Sequence, residues 1–238
     1  KEPSSAEQPN QLFDRSQVLD QLRPPAHAPE FSRVFAARTC MMAGVGLTGV
    51  FLWYLVRFWV YGKAVVLTSA PLTIPAGFLI AGMAVATLIG AALASWAAGP
   101  ISERIEEKNI PVARVVAGAC LLYAIGLGLA WGLGVWSTGT ARENGMLLFA
   151  LISGFAFGIY DSLGLELVMD SLPDPRRAGH DLGIYALANS AGLALAAIIG
   201  ALLVNAFEHS FGYYLLFPSA IVMVLLAGIV TLTTKSAE

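Results

Sequence analysis

Charge is scarce in this chain. Of its 238 residues only 14 are Lys or Arg and 16 are Asp or Glu, about half the charged share of an ordinary soluble domain. With a formal net charge of −2, the sequence offers no basic patch of the kind that holds nucleic acid. Cysteine and histidine are rarer still, at two and three. Cys40 and Cys120 lie in apolar runs without metal-ligand spacing, so they read as small packing residues, and no metal or cofactor is expected. There is no glycine-rich nucleotide loop, which argues against a primary pump.

What fills the chain is apolar: 57% of residues are hydrophobic and the mean hydropathy is +0.69. A helix crossing a bilayer needs about 20 predominantly apolar residues. Six runs have that length, at Arg38 to Tyr61, Leu72 to Ala98, Val112 to Trp136, Met146 to Met169, Leu182 to Phe207 and Phe211 to Thr233. All are too long for strands, and a helix satisfies its own backbone groups in lipid. The expected fold is all-α: a polytopic membrane protein with six transmembrane helices over residues 34–238. Residues 1–33 are polar and carry Pro3, Pro9, Pro24, Pro25 and Pro29, so they read as a cytoplasmic tail or interdomain linker. Within them "QLFDRSQVLDQL" places Leu12, Leu19 and Leu22 near one face of a short amphipathic helix.

Lys and Arg resist translocation and mark the cytoplasmic side. With the tail inside, only Arg57, Lys63 and Arg142 fall on the outer side. Both termini are therefore expected in the cytoplasm, with the protein multi-pass in the cytoplasmic membrane. Trp53, Tyr54, Trp59, Tyr61, Trp131, Trp136, Tyr213 and Tyr214 then gather near the outer ends of their helices, as an interfacial belt does.

An ionisable group inside a membrane is costly, so each one is a candidate for function. Asp161 is the foremost. Gly154, Gly158 and Asp161 are spaced i, i+4, i+7 on one stripe, where paired glycines mark a tight helix contact. Asp161 is thereby expected to face the bundle, suited to carry a proton or meet a cation. Arg57 has Trp53, Tyr54 and Tyr61 at helical spacing, which permits cation–π contact with a ligand or plain snorkelling to the headgroups. Asn189 and Ser190 lie about two turns into the fifth run, either lining a polar cavity or bonding a neighbouring helix. The first, fourth and fifth runs carry the polar interruptions.

The densest charge sits in "GPISERIEEK", Gly99 to Lys108, between the second and third runs. Gly99 permits a turn at a helix end, and Glu103 beside Arg104 supplies an acid and a base for a polar latch outside the hydrocarbon, at a helix end or across the bundle.

Six helices behind a long cytoplasmic segment, with this charged hinge, resemble the C-terminal half of a major facilitator superfamily transporter. Gly99, Glu103, Arg104 and Lys108 match that family's loop signature, with Glu for its usual Asp; Glu106 and Glu107 replace its second Gly and first basic residue. "LPDPRRAGHDLGIYALANSAG", Leu172 to Gly192, is similar to the cytoplasmic start of the eleventh helix in actinobacterial-type members related to sugar and cation symporters. The resemblance implies a half-bundle of 3+3 inverted repeats, with the first, fourth and fifth helices facing a central cavity. It implies secondary transport of a small solute by alternating access, and the intramembrane Asp161 is the candidate for coupling it to H+ or Na+. It further implies a second six-helix half, on a separate chain or as a second copy. An alternative is a membrane scaffold subunit that keeps the half-transporter fold in a larger complex. A rhomboid-type serine protease is disfavoured: Leu151 stands where that chemistry needs Gly before Ser153, and His180 and His209 read as loop residues while His27 is in the tail.

Overall fold

The computed structural model describes residues 29–61, 73–136, 140–172, 178–207 and 209–234. Residues 11–22, where the amphipathic helix is expected, lie outside them. The described residues form helices only: α1 (Pro29–Gly49), a single turn α2 (Leu52–Tyr54) continuing into a π-helical segment (Leu55–Val60), α3 (Thr73–Glu107), α4 (Val112–Trp136), α5 (Thr140–Asp170), α6 (Ala178–Ala206) and α7 (His209–Leu232).

Five of these, α3 to α7, are long and apolar enough to cross a membrane. The first expected run is different. Its helix begins nine residues earlier, at Pro29, and stops at Gly49, with Arg33 and Arg38 lowering its hydropathy. A turn at Val50 and Phe51 breaks the run. Beyond it the register loosens to i→i−5, with Tyr61 N bonding Val56 O at 3.3 Å.

The helices also outrun their apolar stretches. α3 continues through Gly99 and Pro100 to Glu107, and α5 and α6 begin at Thr140 and Ala178. At 1.5 Å per residue the 35 residues of α3 reach about 52 Å, against about 30 Å of hydrocarbon. Hydropathy locates the buried length of such a helix and misses its polar extensions. His180 and His209, expected in loops, stand in the first turns of α6 and α7.

Helix neighbours follow small residues. α3 lies against α5, α5 against α4, α4 against α7, α7 against α1, and α1 against α6, with a lighter α6–α7 contact. A Cβ on Gly90 would overlap the Leu151 carbonyl, and one on Gly154 the Thr87 carbonyl, so α3 and α5 meet backbone to backbone. Gly192 brings α6 as close to α1, where a Cβ would lie 2.6 Å from Thr39 O. Without a hydrophobic drive between helices in lipid, such close approach supplies the dispersion contact that holds them. Trp59 and Tyr213, expected in the belt, are buried; Trp59 meets Tyr214 edge-on at 4.2 Å. Trp136 is 88% exposed.

Candidate functional site

Three helices place polar side chains at one level. Arg38 lies nine residues into α1, Asp161 nine before the end of α5 and Asn189 eleven into α6, each about two and a half to three turns from the same end of the bundle. Arg38 Nη1 pairs with Asp161 Oδ1 at 2.7 Å. Its Nε donates to Asn189 Oδ1, also at 2.7 Å. Three rings complete the surround, Phe157, Tyr160 and Tyr185, their centroids 5.6, 5.6 and 5.7 Å from the guanidinium carbon.

This arrangement answers the cost of a buried charge. Arg38 is 7% exposed, and its planar fork meets a carboxylate and an amide oxygen while its faces meet aromatic rings. A lysine ammonium has no such geometry. The Asp161 side chain, by contrast, is 56% exposed. It lines an open cavity of about 400 Å³ between α3 and α5, with Thr87, Ser95, Ser153, Phe157 and Ser162.

Asp161 and Asn189 are thus brought together, and the residue that joins them is Arg38, which from sequence reads only as a topology-setting charge at the mouth of the first run. Had the run been started at Pro29, Arg38 would have stood inside a helix, opposite the two polar residues of the fifth and fourth runs. The glycine stripe does mark the tight contact, since Gly154 and Gly158 face α3. Asp161, one turn on, faces the cavity beside that contact.

Arg57 is not part of this cluster. It sits in the π-helical segment, about five turns further along the chain. There Tyr54 stacks on Tyr213 of α7 at 6.2 Å, and the cation–π contacts described above belong to Arg38.

Gly99 is not a turn. It lies within α3 with open space around it. The helix runs instead to Glu107, and the chain turns away at Asn109, whose φ is 50°. Asn109 N bonds Glu106 O at 3.2 Å and Ile110 N bonds Ile105 O at 3.0 Å, a Schellman pair that satisfies the last carbonyls. Glu103 and Arg104 stand on the exposed last turns of α3, with no ion pair to either among the described residues.

The family model of the Major Facilitator Superfamily matches residues 75–238, more than half of the chain and nearly everything from α3 onward. Asp161 and Asn189 fall inside the matched part and Arg38 before it. No curated protein and no solved structure matches. Members of this family are membrane transporters rather than enzymes, and with several membrane-spanning helices the chain is a multi-pass membrane protein that belongs to the Major Facilitator Superfamily.

Proposed function

We propose that this chain is one six-helix unit of a secondary active transporter, in which the Arg38–Asp161 pair is broken and remade as a small solute and a coupling ion, H+ or Na+, cross the cytoplasmic membrane. The observation that carries the reading is the pair itself: a buried arginine whose carboxylate partner is open to a cavity. A proton or cation that takes Asp161 frees Arg38 from α5 while Asn189 still holds it to α6. That gives two arrangements with different helix contacts, which a ligand can bias only through its different affinity for each.

The 3+3 repeat is supported by the helix neighbours. Exchanging α1 with α5, α3 with α6 and α4 with α7 carries the main contacts onto one another, the α6–α7 contact apart. The second six-helix half is proposed to lie on α3 and α6, whose membrane windows are the least buried of the five, at 22% each. Phe78, Leu88 and Trp96 on α3 and Ile198 and Leu202 on α6 stand more than half exposed. Glu103 and Arg104 are proposed to gate from the cytoplasmic side, on the same side as both termini.

Uptake into proteoliposomes that hold the chain together with its second half, under an imposed pH or Na+ gradient, tests the coupling. Gradient-driven uptake that Asp161→Asn abolishes supports it; an Asp161→Asn protein that couples normally removes Asp161 from the role. Counting helices in the purified particle tests the pairing of halves, twelve being the expected number.

A further inference from the structure

Every serine and threonine hydroxyl on the wall of the cavity beside Asp161 has its proton committed elsewhere. Thr87 Oγ1 donates to Met83 O at 2.9 Å and Ser95 Oγ to Ala91 O at 3.0 Å. Ser153 Oγ donates to Ala150 O at 3.0 Å and Ser162 Oγ to Gly158 O at 2.9 Å. A carbonyl has no proton to give, so the positions of the heavy atoms alone fix these directions.

A hydroxyl that donates still has lone pairs to offer. The serine and threonine oxygens of the wall are therefore offered as acceptors, and Asp161 adds a carboxylate, of which Arg38 holds Oδ1. The lining holds no Lys, Arg or His; the Arg38 guanidinium lies among three rings, with Nη1 engaged on Asp161 and Nε on Asn189. The rest of the surface is apolar, with Val45, Ala91 and the ring of Phe157.

We infer that the cavity binds a small organic cation, a protonated amine with a compact apolar body. An ammonium head has three donors and no acceptor, the complement of this wall. Its N–H groups reach Asp161, Ser95 and Ser162, and its body lies on Val45, Ala91 and Phe157, whose face also attracts a cation. An anion meets the Asp161 carboxylate and no cationic side chain in the lining. A neutral polyol donates as well but leaves the lone pairs of its own oxygens unmatched. A bare metal ion uses little of a volume typical of organic-ligand sites.

The inference deepens the transporter reading, since it takes the cavity as the solute site, yet its test needs no transport. Benzylammonium, benzyl alcohol and benzoate share one body and differ in the head. They are titrated at neutral pH into the purified chain in detergent, with tryptophan fluorescence as the readout. The amine is expected to bind about ten- to a hundredfold more tightly than the alcohol, the span of one charge-assisted hydrogen bond, and benzoate to show no saturable binding. Asp161→Asn is expected to erase the amine's advantage. Ser162→Ala, an exposed position bonded to its own helix, keeps the fold and is expected to weaken the amine several-fold, about the worth of one hydrogen bond. Equal binding of amine and alcohol, a preference for benzoate, no saturable amine binding, or amine binding that both variants leave unchanged overturns the inference. Gradient-driven uptake without amine preference overturns it alone, whereas amine binding without any uptake overturns the transporter reading alone.

Discussion

Arg38 and Asp161 face each other across the α1–α5 boundary with 2.7 Å between Nη1 and Oδ1, and one partner is nearly enclosed while the other is more than half open. The asymmetry sets what each deletion does. Removing Asp161 leaves a charge in the bundle that keeps Asn189 and three rings, and removing Arg38 leaves a carboxylate that the cavity can solvate.

The two single variants are therefore expected to differ. Asp161→Asn is expected to lower stability by about 1.5–3 kcal/mol, the range for a hydrogen bond to a charged group. Arg38→Met, which replaces the buried cation by an apolar chain of similar reach, is expected to cost less. The double variant should recover part of the Asp161→Asn loss. Thermal unfolding in detergent across this cycle checks it, and additive losses would mean that the two residues are not coupled.

Arg38→Lys keeps the charge and is expected to fail nonetheless. One ammonium cannot hold Asp161 through one nitrogen and Asn189 through another, and it lacks the planar face that lies among Phe157, Tyr160 and Tyr185. Gradient-driven uptake should drop to near background while membrane insertion stays normal. Full activity in the Arg38→Lys protein would show that charge alone suffices at this position.

Much of this is legible in the sequence, for physical reasons that can be named. α4 and α7 are visible as apolar runs without charge in their middle, and Gly154 and Gly158 as a helix contact, because spacing on a helix face is a local property. Asp161 and Asn189 stand out as polar residues in oil. Arg38 does not, because α1 draws its stability from packing on α6 and α7 rather than from its own hydropathy, so hydropathy alone starts the helix too late. Gly99 misleads for the opposite reason. Its residue type signals a turn, but the residues after it, Glu103 to Glu107, are good helix formers, and the true stop lies in Asn109 followed by Pro111.

The close helix contacts predict opposite outcomes for chemically identical changes. Gly154→Ala puts a methyl group onto the Thr87 carbonyl and Gly90→Ala one onto the Leu151 carbonyl. Backbone cannot swing aside, so α3 must separate from α5, at a cost of about 1–3 kcal/mol or more for overpacking. Gly118→Ala on α4 meets open space and should gain up to about 1 kcal/mol from helix propensity. Melting temperatures of the three proteins decide the matter: a Gly154→Ala protein as stable as Gly118→Ala would contradict the packing described.

The end of α3 predicts a similar reversal between two residues only ten apart. If Gly99 served as the turn, alanine there would strain the chain; as a helical residue with nothing around its α-carbon, it should accept alanine with unchanged uptake and up to about 1 kcal/mol of added stability. Asn109, at a φ of 50°, is where the left-handed conformation is required. Asn109→Gly should be neutral or mildly stabilising, while a β-branched residue, as in Asn109→Val, should cost about 1–2 kcal/mol and loosen the Ile105–Ile110 bond that closes the helix. Thermal unfolding with uptake as the second readout separates the two positions. Sensitivity at Gly99 with tolerance at Asn109 would return the hinge to the glycine.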